Sequence, residues 1–176
     1  MLALSGLIDR LSRLCGHVAS VLVLLSCLIS AGNAVSRYLF SVSSNAWLEI
    51  QWQMFAGIFL LGAAQVLRLN EHVRVDLFYG AASPRRKLWI DVFGLVLFLA
   101  PAVGLILWLG VPWALAATRA GEWSANAGGL PVWPVKLLLP LGFLLLLLQG
   151  LSELVKRVAA LQGLAEIETR YDKPVQ

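Results

Sequence analysis

Asn45-Ala-Trp47-Leu-Glu49-Ile-Gln51-Trp52-Gln53 opens an apolar run that lasts to Leu67, gives way to Glu71-His72-Val73-Arg74-Val75-Asp76, and is followed by the basic cluster Arg85-Arg86-Lys87. The apolar part is long enough to cross about 30 Å of hydrocarbon, which takes roughly 20 helical residues. The basic loop after it sets the threading of the whole chain, because Lys and Arg collect in cytoplasmic loops. With this loop inside, its side of the membrane holds eleven of the fourteen basic residues, and only Arg37, Arg119 and Lys136 remain outside. Both termini are then expected in the cytoplasm.

The pattern repeats on either side. Apolar blocks near 18–39, 47–68, 88–117 and 132–156 are each long enough to span. Hydrophobic residues make up 59% of the 176 positions and charged residues 14%, where a soluble domain carries about a quarter charged. The expected fold is an all-α integral membrane protein with four transmembrane helices, in one membrane domain covering 1–176. The connections are too short to house a catalytic domain. The net charge of +4 follows the loops and not one helix face, so it reads as topology and no nucleic-acid partner is expected. Cys15 and Cys27 are 12 positions apart, about 18 Å along a helix, too far to bridge within one chain.

Before the first span, Leu2, Leu4, Leu7, Ile8, Leu11 and Leu14 alternate with Ser5, Asp9, Arg10, Ser12 and Arg13. That spacing predicts an amphipathic helix on the cytoplasmic surface. Arg10 and Arg13 ahead of an apolar run that ends in Ala31-Gly32-Asn33-Ala34 also fit a cleavable secretory signal; a retained first span is the preferred reading. Ser26, Ser30 and Ala34 follow at successive i+4 steps, a small-residue stripe expected to meet another helix. Ser41-Val-Ser-Ser44 then turns the chain into the second helix.

Asn45 is the expected N-cap of that helix, which puts Glu49 in its first turn, where the helix dipole favours an acid. Gln53 lies one turn below Glu49, with Ala56 and Gly57 a turn further. A span with one acid and three glutamines is rarely lipid-facing all round, so contact with another helix or a partner is expected for Glu49, Trp52 and Gln53. Ser83-Pro84 reads as N-cap and N1 of the third helix, placing Arg85, Arg86 and Lys87 at anionic lipid headgroups. Leu88–Ala117 is about 45 Å of helix, more than the hydrocarbon needs, so it is expected to tilt, kink at Pro101 or Pro112, or project outward. Trp89 and Trp108, about 28 Å apart, suit the two aromatic belts.

Thr118–Leu130 is expected as an irregular outside loop on the membrane surface. Pro131-Val-Trp-Pro134 opens the fourth helix, with Lys136 snorkelling to the outer interface and Pro140 bending it. The leucine run at 137–148 is expected to face lipid. At the inner end Glu153 is spaced to pair with Lys156 or Arg157.

Several chemistries are missing. His17 and His72 sit at predicted membrane edges, which removes a bis-histidine haem, and no metal, nucleotide or nucleophile motif occurs. No acid or base lies at the middle of a span, as a proton or ion pathway usually requires. No cofactor, metal or enzymatic activity is expected.

Trp47-Leu-Glu49-Ile-Gln-Trp52, the run from Phe55 to Ala64, and above all Glu71-His72-Val73-Arg74-Val75-Asp76 resemble the small membrane subunit of tripartite ATP-independent periplasmic (TRAP) transporters. The resemblance covers the chain in length and layout, with specific motifs across 45–80. It implies a bacterial inner-membrane complex in which a periplasmic substrate-binding protein delivers an organic acid to a large multi-span subunit. That subunit moves it with sodium by an elevator motion, while the small subunit is a scaffold. Glu49 and Trp52 would then support the subunit contact, and His72, Arg74 and Asp76 would order the cytoplasmic loop. The chain stops after its fourth block, so the large partner is expected as a separate polypeptide. The rival reading is a self-sufficient oligomeric transporter or channel with Glu49 as its ion-coupled site. An anchor subunit of a respiratory enzyme would need a haem or quinone site that the sequence lacks.

Overall fold

In the computed structural model, the residues described are 2–71, Tyr79 and 82–164. They form four long helices: α1 (Leu2–Phe40), α2 (Asn45–Leu69), α3 (Pro84–Ala120) and α4 (Trp133–Leu161). All four are long and apolar enough to cross a membrane. Successive helices run in opposite directions, so the start of α2 and the 121–132 loop share one end of the bundle. The starts of α1 and α3 share the other with the end of α4.

The helices begin and end for local reasons. At the α1–α2 turn, Ser41 takes a left-handed φ of 54° and donates its N–H to the Arg37 carbonyl. Ser44 caps α2, its Oγ accepting the Ala46 N–H at 3.3 Å. The cap is thus one residue earlier than expected, and it leaves the Asn45 amide available elsewhere. Asn70 closes α2 in the left-handed conformation, one of the few residues besides glycine that adopts it readily. Ser83 and Pro84 start α3 as the sequence predicts.

Residues 2–17 continue α1 without a break. Ser5 and Ser12 are buried while Leu4, Leu7, Leu11 and Leu14 are exposed, so in this stretch the polar stripe, not the leucines, faces the bundle. Along the whole helix the buried positions are Ser5, Ser12, Ala19, Ser26 and Asn33, seven residues apart. Ile8, Cys15, Leu22, Ile29 and Ser36 are half-buried between them. This is the 3.5-residue period of a left-handed helix seam, and its small side chains let backbones approach without a hydrophobic force to drive them together. The expected i+4 stripe therefore survives only at Ser26, since Ser30 and Ala34 are exposed. Steps of four alone drift off a seam that advances by three and four in turn.

The centre of the bundle is α4, which packs against each of the other three, whereas α3 leans chiefly on α4. This overturns the lipid-facing expectation for 137–148. Only Leu141 and Leu144 of that run are exposed; Gly142 and Leu145 are buried and the rest half-buried. A Cβ at Gly142 would lie 2.8 Å from the Leu60 carbonyl oxygen, so glycine there is what allows α2 and α4 to touch through their backbones. A run of leucine carries no period, and leucine suits a helix neighbour as well as a lipid.

The winding of α3 changes just before Pro101. Residues Gly94–Leu99 are π-helical, and the Ala100 N–H bonds back to the Leu95 carbonyl, five residues away. Pro101 follows at once. Its ring would clash with the carbonyl four residues before it, and a π turn opens that register. Pro112 sits inside unbroken helix.

Candidate functional site

Polar side chains gather at the two ends of the bundle. At the first end, Glu49 projects from the second turn of α2 under the loop joining α3 to α4. Its Oε1 accepts from the Ser124 hydroxyl and, at 2.8 Å, from Asn126 Nδ2; its Oε2 accepts the Leu130 N–H at 2.6 Å. Both carboxylate oxygens are engaged and the residue is buried. A Cβ on Gly129 would stand 2.9 Å from Oε1, so the loop closes over the acid only with glycine there.

The same face of α2 holds the loop at two more points. Asn45 Nδ2 donates to the Ala127 carbonyl at 2.9 Å, and Gln53 Nε2 to that of Pro131 at 3.1 Å. The loop is itself closed, with Trp123 and Pro131 bridged in antiparallel fashion and the Ser124 N–H bonded to the Leu130 carbonyl. It is a clasp folded onto α2, more ordered than the irregular loop the sequence predicts. Lys136 is ion-paired at this end of the bundle. Its ammonium lies 2.6 Å from both Glu122 oxygens and 4.6 Å from the centre of the Trp113 ring.

At the opposite end, charged groups join three helices. Arg157 on α4 donates to Asp91 on α3 at 2.9 Å and to Glu153 one turn back. Lys156 pairs with Glu153 at 2.8 Å and with Asp9 on α1 at 2.7 Å. Gln149, fully buried, accepts from the Ser12 hydroxyl at 2.7 Å and donates to Asp9 and Glu153, each at 3.0 Å. The Tyr79 hydroxyl reaches Asp91 at 3.3 Å. Opposite charges so compensated are how ionisable groups persist at the ends of apolar helices. Among the described residues no group of His, Cys, Asp and Glu gathers that could hold a metal ion.

Of the residues singled out from the sequence, Glu49 and Gln53 share the clasp, while Trp52 points away from it and is 42% exposed. Arg85 and Arg86 are exposed, but Lys87 is buried, its ammonium 5.4 Å from the centre of the Tyr79 ring. His72, Arg74 and Asp76 lie outside the described residues. The network of Asp9, Ser12, Asp91 and Gln149 was not anticipated. Four alternating spans bring the starts of α1 and α3 beside the end of α4, and each of these ends carries an acid.

No curated protein and no solved structure matches the chain. The family model for tripartite ATP-independent periplasmic transporters, DctQ component, matches residues 26–160. That stretch contains α2 and α3, the C-terminal part of α1 and nearly all of α4, the clasp, and Asp91, Gln149 and Arg157. The chain therefore belongs to the DctQ family and is a membrane component of a TRAP transporter, not an enzyme.

Proposed function

We propose that this chain is the stationary scaffold of its transporter. It would be a multi-pass protein of a bacterial inner membrane that holds a large elevator-type subunit in place. That subunit takes an organic acid from a periplasmic binding protein and moves it with sodium. The observation that supports this reading is that the bundle is cross-tied by polar side chains at both ends, with Glu49 clasping one and Arg157 the other. An elevator needs a part that does not deform while the transport domain slides, and discrete ties at both ends make a four-helix unit stiff.

The same bonds count against the rival role for Glu49. It is the one acid of α2, and three donors already hold its two oxygens, so an ion bound there would compete with the bonds that hold the loop. Arg85 and Arg86, exposed at the start of α3, would rest on anionic headgroups. The loop that holds His72, Arg74 and Asp76 would meet the large subunit from the cytoplasmic side.

Proteoliposomes test this. The chain alone should move no organic acid under a sodium gradient, while vesicles holding the large subunit, with binding protein outside, should take it up only when the chain is present. Uptake by the chain alone would overturn the proposal.

A further inference from the structure

One face of α1 has no partner among the described residues. Starting at Leu4 and stepping three then four residues, it reads Leu, Leu, Leu, Leu, Val, Val, Leu, Leu, Gly, Val, Leu, ending at Leu39, and every one of these positions is exposed. None of the Ser, Asn, Asp, Arg, His or Cys residues of α1 falls on it. This is a second 3.5-residue seam, one residue out of phase with the first.

Lipid does not account for it. From Leu4 to Leu39 is about 52 Å of helix, against about 30 Å of hydrocarbon, so acyl chains cannot cover both ends at once. Lipid also imposes no period, whereas a left-handed seam matches another helix. The single gap in the seam, Gly32, opens into a cavity of about 370 Å³ lined by Leu28, Ile29, Asn33, Ser36 and Trp47. A Cβ at Gly32 would meet nothing within 4 Å. Asn33 is 7% exposed and its Oδ1 has no hydrogen-bond partner. An orphaned acceptor beside an empty hole in a helix seam calls for a side chain that fills the hole and donates a hydrogen bond.

We propose that this outer seam of α1 docks a long helix of the large TRAP membrane subunit, which inserts a donor-bearing side chain at Gly32 and Asn33. A second copy of this chain fits less well. Two copies share one membrane orientation, so their α1 helices would run parallel and set Arg10 and Arg13 of one near the same residues of the other. These two and His17 are exposed beside the seam, and the docked helix should carry acids there. The inference rests on the reading of the chain as the small subunit of a two-subunit membrane assembly.

The test is photo-crosslinking in the intact complex, in membranes, with benzoylphenylalanine at Leu28 and, as the control, at Phe98, exposed on α3. The expected result is an adduct from Leu28 to the large multi-span subunit, identified by its peptides, and none from Phe98. Gly32→Leu should reduce that adduct and the co-purified large subunit about tenfold, a loss of roughly 1.4 kcal/mol of association. The matched change Gly104→Leu, which also points into open space, should leave both intact. Adducts from Leu28 to lipid alone or to a second copy would overturn the proposal. So would adducts from Phe98 alone with the large subunit still co-purifying, an outcome that leaves the scaffold reading standing. If no large subunit co-purifies with the unaltered chain, both fall.

Discussion

Arg157 Nε on α4 lies 2.9 Å from Asp91 Oδ2 on α3, while Nη1 of the same guanidinium bonds Glu153 one turn back. One side chain therefore ties the outlying helix to the central one, with both partners nearly out of solvent: the side chains of Arg157 and Asp91 are 7% and 13% exposed. Removing one member of such a group leaves a buried charge uncompensated, which costs about 3–5 kcal/mol, whereas replacing the set with apolar residues is often close to neutral. Arg157→Leu should thus destabilise the purified protein by about that amount, and Arg157→Leu with Asp91→Leu and Glu153→Leu should recover most of it. Denaturant titration followed by tryptophan fluorescence reads both. An equal loss in the triple variant would mean that the network is a specific lock and not a compensated charge set.

The clasp makes a separate prediction. Glu49→Gln turns one acceptor oxygen into a donor that faces Ser124 and Asn126, or in the other orientation the Leu130 N–H. Hydrogen exchange should rise across Ser124–Leu130 and stay unchanged at Gln149–Arg157, because the two polar constellations lie at opposite ends of the bundle. Unchanged exchange in the loop would show that the hydrogen bonds to Glu49 do not hold it.

Close packing of α2 on α4 depends on Gly142. A leucine there would place its Cβ against the Leu60 carbonyl, and overpacking of this kind typically costs about 1–3 kcal/mol. Leu141→Ala, one residue away and 56% exposed, should fall within about 0.5 kcal/mol of the parent. The contrast between the two neighbours, measured by thermal unfolding in detergent, separates a helix contact from a general loss of apolar surface.

Ser12→Ala tests the buried hydroxyl on α1. It removes the donor to Gln149 Oε1 at nearly constant volume, and hydrogen bonds between membrane helices average about 0.6 kcal/mol and reach about 1.7. A loss in that range is expected. A gain in stability would show that Gln149 finds another donor and that Ser12 serves packing alone.

Much of this architecture was legible in the sequence. Span length is a strong signal, and Ser83-Pro84, the Gly-rich loop after α3 and the polar face of α2 were all placed from local chemistry. The role of Glu49 was half legible: its position on a helix face at the span's start is a local fact, but its partners Ser124, Asn126 and Leu130 come from a loop some 75–81 residues away. The leucine run of α4 misled because lipid and protein neighbours ask for the same side chains. The seam of α1 was missed because Ser26, Ser30 and Ala34 were read at a step of four, where a repeat of seven through Ser5, Ser12, Ala19, Ser26 and Asn33 was available. The ion network was out of reach of any one span and needed the ends of three to be superposed.

The scaffold account stands on one assembly. An affinity tag on the chain, gentle extraction from a bacterial membrane and mass spectrometry of what comes with it read that assembly directly. The account predicts a large multi-span subunit in near-equal amount, retained through washing. A stable homo-oligomer of this chain alone, able to move solute in liposomes, would contradict it.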